Sequence, residues 1–449
     1  MTPLLSTLAA YGAREATRAL PAEVAHHAKR AVIDWFAALY PGTRVAPATH
    51  LVAAHARELG VGRSSLPGFA TTAFPALAAW INGSASHAVE FDDIFKDAMY
   101  HPGCPTIAAA LAVAEDRGLS GAQFLQAVVA GYEISTRIGV AVQPSHYRHF
   151  HTTGTVGSFG GAAAAAALLA PGDEAAMGHA LATVATFAAG LQQAFRSDSM
   201  SKPLHAGHAA SVGVLAGQAA AAGVTGATDV LEGAAGFGAA MSDGARWERA
   251  TEELGTRYNI TRMTQKNHGC CGHTFAAIDA ALELRRQGLD PDAVAALEVA
   301  TYQVALDVAG IPSPRTAAEA KFSTRYVVAH ALRHGSVRLD AFAPERLDDA
   351  GIRALIERIT VVADPAITAA FPGQRAARVT ATLSDGRRLE HFAPCRKGDP
   401  EAPLSDAEID DKFEELAAPV LGAARARELR AQLWRLEGLA IADLRLASA

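Results

Sequence analysis

Gly154-Thr-Val-Gly-Ser-Phe-Gly-Gly-Ala-Ala-Ala-Ala-Ala-Ala-Leu-Leu169 is the stretch on which the fold turns. It carries no charge on any side, so it reads as a helix buried all round. The apolar run from Val156 to Ala170 is too short and too weakly hydrophobic to span a bilayer. The glycines at 154–160 make neither a GxGxxG turn after a strand nor a Walker loop. A core helix of small residues remains, and small residues let neighbouring backbones approach closely.

Working outward, the flanking segments are of the same kind. Val24, Ala28, Ala31, Val32, Phe36 and Leu39 repeat with helical spacing behind Pro21. Pro105–Arg117 reads as a helix, and Ser120 caps a long one through Val140. Glu174–Gln193 and Pro203–Ala222 complete the set. After Met263 the texture changes. A helix is expected from Thr274 to Arg286, a strand in Leu297–Leu306, a helix from Thr316 to Arg333 and a strand at Ile359–Ala363. Arg378–Leu383, Asp385-Gly386 and Arg387–Phe392 read as a β-hairpin. Beyond Pro403 the chain is helical again, opened by the capping box Ser405-Asp-Ala-Glu. The expectation is a mostly α protein: a large, discontinuous all-helical domain over 1–265 and 403–449, and a smaller α+β domain over 266–402.

The chain has 449 residues, 50% of them hydrophobic, and a formal charge of −6. That balance gives no electrostatic reason to bind nucleic acid. Cys104, Cys270, Cys271 and Cys395 form no disulfide framework and lack CxxC spacing. The N-terminus lacks the basic start and apolar run of a signal peptide. A reduced, cytoplasmic setting without membrane attachment is the expectation.

Chemistry is concentrated in His87-Ala-Val-Glu-Phe-Asp-Asp93 and His101-Pro-Gly-Cys-Pro105, two histidines and three carboxylates between apolar helices. His101, His151, Lys202 and His273 each fall at an expected helix start, where unpaired N–H groups and the helix dipole favour anions. One such histidine is ordinarily a cap or a surface residue, and Glu90, Asp92 and Asp93 alone could be a solvated helix end. Four cases in one chain point to a site for a small di- or tricarboxylate. His149-x-His151 with nearby carboxylates is a rival metal site, but no HExxH or regular ligand spacing supports it. No GxSxG nucleophile elbow occurs.

These segments, with Gly131-Tyr-Glu-Ile-Ser-Thr-Arg-Ile138, His151-x-x-Gly-Thr-Val-Gly157, Ser201-Lys-Pro-Leu-His-Ala-Gly207 and Ala320-Lys-Phe-Ser323, resemble the MmgE/PrpD family in the family's order. The family includes 2-methylcitrate dehydratase, cis-aconitate decarboxylase and iminodisuccinate epimerase. The resemblance implies a helical domain with an α+β lid, a homodimer, no metal and no other cofactor. It implies an active site between the domains, with His101, His151 and Lys202 catalytic and Tyr147 a further acid or base. Glu90, Asp93, Thr152, Cys271 and His273 are then expected at the substrate.

Four departures reshape that pocket: Glu90 where aspartate is common, Ile94 where threonine is common, one extra residue before His101, and Thr152-Thr153 where proline is usual. They weigh against a strict cis-aconitate decarboxylase. The leading expectation is a hydro-lyase acting on a 2-methylcitrate-like acid. An iminodisuccinate-type epimerase, a cis-aconitate-type decarboxylase and a non-catalytic carboxylate binder are the alternatives.

Overall fold

The computed structural model describes residues 3–195 and 199–448. The chain divides into two compact units, 1–264 with 405–449, and 265–404.

The first unit is built from helices α1 (Pro3–Glu15), α2 (Ala22–Gly42), α3 (Ala48–Ala54), α4 (Pro75–His87), α5 (Gly103–Arg117), α6 (Gly121–Val142), α7 (Thr152–Leu169), α8 (Glu174–Ala185) and α9 (Ser201–Ala221). One short antiparallel pair, β1 (Ser64–Leu66) and β2 (Thr71–Ala73), interrupts them. The alanine-rich α7 is the hub, buried along almost its whole length and packed against α5, α6, α8 and α9. Glycine makes the closest approaches. A Cβ on Gly213 of α9 would stand 2.6 Å from the Gly161 carbonyl carbon of α7, and one on Gly207 would stand 2.2 Å from the Trp80 carbonyl oxygen of α4. Interiors at crystal-like density cannot absorb such overlaps. The small residues thus draw α4, α7 and α9 together beneath the histidine-bearing loops.

Helix starts follow the sequence signals closely: Ser120 closes a full capping box on α6 with Gln123, and Ser405 does so with Glu408. Helix α8 is shorter than expected, ending at Ala185 instead of Gln193. The backbone beyond it is used elsewhere: Gly190 O accepts from His151 N at 3.0 Å, and Gln192 N donates to His149 O at 2.9 Å. That pairing fixes the approach to α7.

The C-terminal segment returns to this unit through helices Asp406–Leu421 and Ala423–Leu433. Lys412 anchors it, donating to Asp34 Oδ1 at 2.6 Å on α2 and to the Phe91 carbonyl at 2.8 Å. Both charged groups of this pair are buried.

The second unit holds a four-stranded sheet in the order β4-β3-β5-β6: β3 (Val294–Thr301), β4 (Ile359–Ala363), β5 (Ala377–Leu383) and β6 (Arg388–Ala393). Strand β3 pairs in parallel with β4 and antiparallel with β5, and the β5–β6 hairpin matches the expected one. Helices Phe275–Arg286 and Thr324–His334 cover it, giving a core with Phe275, Ile278, Val299, Val327 and Val379. Two expectations are corrected. The alternation at 302–306 is not strand: Tyr302 leaves the sheet and helix Gln303–Ala309 follows. The single helix expected over 316–333 is two, Ala317–Ala320 and Thr324–His334, because the Ser323 hydroxyl accepts from Tyr326 N and starts a new one.

Candidate active site

Three helix N-termini of the first unit carry the expected residues. His101 lies two residues before α5, His151 is the residue capping α7, and Lys202 is the second residue of α9. His101 and His151 meet at a histidine that the sequence reading placed in its leading motif without giving it a role. His87, the last residue of α4, stacks on His151 with ring centroids 5.5 Å apart and meets His101 edge-on at 4.8 Å.

Beneath these rings sits Asp92. Its Oδ2 accepts from His87 Nδ1 at 2.7 Å and from the Cys104 thiol at 3.1 Å, and His101 Nδ1 lies 2.9 Å away. His87 is 0% exposed, Asp92 1%, and the His101 side chain 14%. One carboxylate oxygen therefore holds two imidazoles by the same ring atom, which turns the far edge of each ring, Nε2, away from Asp92. His87, Asp92 and Cys104 also form a set of potential metal donors within 4.8 Å. Burial, then the charge of Asp92, pushes the Cys104 thiol well above its ordinary range. With its proton it is a hydrogen-bond donor to Asp92.

His151 is 2% exposed, and its Nδ1 lies 3.0 Å from Nδ1 of His205. Burial and the surrounding positive groups, His87 and Lys202 first among them, push its pKa well below the ordinary histidine value. His205 is lowered to about 4, again chiefly by burial. Both rings are neutral at pH 7, so one Nδ1–H donates to the other ring's lone pair. His205 also lines a cavity of about 620 Å³ with Trp80, Leu191, Leu204 and His208.

Lys202 donates to Glu90 Oε1. Burial lowers its pKa, but the charge and hydrogen bond of Glu90, with Asp92 and Tyr147 adding to them, outweigh that effect and raise it overall. It remains an ammonium. Glu90 itself sits at φ +63°, in the left-handed region that a non-glycine residue enters at a cost of about 1–3 kcal/mol. Strain of this kind persists where the surroundings hold it, and here Lys202 takes the carboxylate.

The other expected residues divide. Tyr147, on the turn Ser145–Arg148, is half-buried and close enough to act on Lys202. Asp93 is spent on packing: Oδ1 accepts from Gly103 N at 3.0 Å and Oδ2 from the Tyr132 hydroxyl at 2.7 Å. Burial raises its pKa to about 7. Thr152 is fully buried, its hydroxyl accepting from Gln143 Nε2 at 3.0 Å. Thr153, read from sequence only as a departure from the family pattern, accepts from His101 N at 3.2 Å and ties that residue to α7. Cys271 and His273 belong to the second unit, on the turn before helix Phe275–Arg286. There His273 Nδ1 lies 2.8 Å from the Tyr302 hydroxyl.

Sequence reasoning missed His87, Asp92 and His205 as parts of the cluster. His87 and Asp92 were inside the quoted stretch, and their five-residue spacing across a helix end was the available signal. His205 gave one too, lying one helical turn after Lys202.

Comparison with known proteins identifies the family. Residues 6–250 match the MmgE/PrpD N-terminal domain and residues 268–437 the MmgE/PrpD C-terminal domain. The chain is 30% identical over 448 residues to the cis-aconitate decarboxylase-like protein oryM of Aspergillus oryzae, covering 93% of this chain and 91% of that protein. It is 25% identical over 388 residues to cis-aconitate decarboxylase of Mus musculus, covering 81% and 76%. With cis-aconitate decarboxylase of Aspergillus terreus the identity is 25% over 441 residues, covering 92% and 89%. Both domains match in order, the first of them across the helices that carry His101, His151 and Lys202, and the chain belongs to the MmgE/PrpD family.

Proposed function

We propose that this protein is a cofactor-independent lyase that moves a proton at the carbon next to a carboxylate of a small di- or tricarboxylate. One observation carries the reading: a neutral His151 shares a cluster with a Lys202 ammonium held charged by Glu90. A base and an acid of opposite readiness are what such chemistry needs. The α-proton is weakly acidic, and its removal adds charge to a group already anionic. Lys202, a His101 whose charge Asp92 would balance, and the N-termini of α5, α7 and α9 supply the compensating field.

In the dehydration reading, His151 donates Nδ1–H to His205 and takes the α-proton on Nε2. The electron pair forms the carbon–carbon double bond, the β-carbon–oxygen bond breaks, and Lys202 protonates the departing hydroxide to water. Tyr147 stands by as a second acid. Decarboxylation is the second reading, favoured by the names of relatives that align over most of the chain. There the carbon–carbon bond to one carboxylate breaks, carbon dioxide leaves, and the electron pair is protonated at carbon by Lys202. The altered residues at Glu90, Ile94 and Thr152 weigh against a strict cis-aconitate decarboxylase, and the likeness to decarboxylases weighs back.

Proton NMR in D₂O with citrate-like, cis-aconitate-like and iminodisuccinate-like acids separates the readings. A new vinylic signal with all carboxyl carbons retained is dehydration, and loss of one carboxyl carbon is decarboxylation. Deuterium entry or inversion without elimination is epimerisation. Binding without any of these marks a non-catalytic carboxylate binder. Lys202→Met should abolish turnover in a folded protein, and near-normal rates would sink the acid–base assignment.

A further inference from the structure

The second unit contains a cation that no ion pair engages among the described residues. Arg375 follows the aromatic turn Phe371-Pro-Gly-Gln374, and its side chain is half-buried. Its guanidinium lies 5.8 Å from the Phe371 ring centroid. No hydrogen bond or ion pair engages it among the described residues. Its neighbour Arg396 is satisfied, gripping Asp399 with two bonds of 2.8 and 2.7 Å and reaching the Gly272 carbonyl at 3.3 Å. Two guanidiniums thus share one carboxylate, and the surplus charge is Arg375's. Burial, then repulsion from Arg396, lowers its pKa, although an arginine stays charged. A half-buried guanidinium without a direct hydrogen-bonded partner is costly to keep, and an anion relieves that cost.

The groups around it are arranged as donors. Phe371 stacks on Tyr302 at 4.6 Å, and the His273 ring lies 6.2 Å from Phe371. His273 Nδ1 and the Tyr302 hydroxyl are 2.8 Å apart. Burial, with Arg375 and Arg396 adding to it, lowers His273 to about 4, while burial raises Tyr302 to about 12. A tyrosine that keeps its proton can donate it to Nδ1, and the histidine's hydrogen is then on Nε2. Phe371 links the two, lying against both the guanidinium and the His273–Tyr302 pair.

We propose that Arg375 and the Nε2–H edge of His273 form a carboxylate-binding subsite of the second unit, with Tyr302 fixing the histidine tautomer. The ligand is a carboxylate of a small polycarboxylate, read by the two-pronged guanidinium geometry. This deepens the proposed function, since it assumes the same class of substrate, but it is tested by binding and not by turnover.

Citrate is titrated calorimetrically into the full-length wild type, Arg375→Gln and Arg375→Lys, with circular dichroism establishing that each is folded. Arg375→Gln should weaken citrate binding about tenfold or more, the loss expected for one charged partner. Arg375→Lys keeps the charge but loses the fork, and should fall between the two. Citrate affinity within twofold of wild type in either folded variant, or no citrate binding by the wild type, overturns the subsite. If citrate binding depends on Arg375 but no polycarboxylate is turned over, the subsite stands and the lyase reading falls.

Discussion

Replacing Asp92 by asparagine tests the core of the site with little change of shape. The carboxylate oxygen that holds His87 at 2.7 Å and approaches His101 at 2.9 Å becomes part of a neutral amide. A hydrogen bond to a charged group contributes about 1.5–3 kcal/mol and a neutral one about 1 kcal/mol. Losing the charge at two imidazole contacts therefore costs about 2 kcal/mol of stability in a site that water barely reaches. The amide also has one accepting and one donating face. Both rings meet the same oxygen, so an NH₂ placed there would require each to accept at Nδ1, moving its proton to Nε2 and reversing the edge it offers outward. A reversed tautomer in a catalytic relay can cost several orders of magnitude in rate. The expectation for Asp92→Asn is a fall in kcat of at least about tenfold, with KM changed less and the pH profile altered. The assays are turnover across about pH 5 to 9 and urea unfolding. A variant with kcat within twofold of wild type and an unchanged pH profile would refute the view that Asp92 sets the two rings.

Two further outcomes follow from buried charges in the first unit. Lys412→Met should destabilise the protein by about 3–5 kcal/mol in urea unfolding, because it leaves Asp34 buried without its cation. Lys412→Met combined with Asp34→Leu should recover much of that loss, and no recovery would show that the pair does more than balance charge. Asp93, with its pKa raised to about 7 by burial, binds its proton more tightly folded than unfolded. Its contribution is therefore fully present below the unfolded value near 4 and declines as pH rises towards 7. The stability of wild type relative to Asp93→Asn should fall across that window, by as much as about 4 kcal/mol. A difference that is flat with pH counts against a protonated Asp93.

Much of the fold was legible because local signals and burial agree. The capping serines at 120 and 405 mark helix starts by satisfying the N–H groups they precede, a purely local matter. The ends were harder. Helix α8 stops at Ala185 because the following backbone pairs with residues 149–151, a contact invisible in a helical pattern. Tyr302 continued an alternating pattern, yet its ring is taken by Phe371 and the strand ends before it. In the site, residue types pointed to the right loops but not to the side chains facing each other. Asp92 and Asp93 are adjacent, and a turn sends one to the histidines and the other to Gly103 and Tyr132. No property of two neighbouring aspartates says which is which.

The position of Lys412 explains why the last helices matter to chemistry assembled from residues 87–205. The loop between α4 and α5 carries Glu90 in a strained backbone conformation and must still deliver Asp92 to two rings. Loop backbone between them needs a partner for its buried carbonyls. The Phe91 carbonyl, between the strained residue and Asp92, takes the Lys412 ammonium at 2.8 Å, and the same ammonium is fixed at 2.6 Å by Asp34 on α2. The ammonium is itself locked by a second buried charge, so it ties the carbonyl beside the strained Glu90 to α2. The returning C-terminal segment is thus part of the frame of the site, and a chain cut before residue 405 would lose the loop geometry together with the stability.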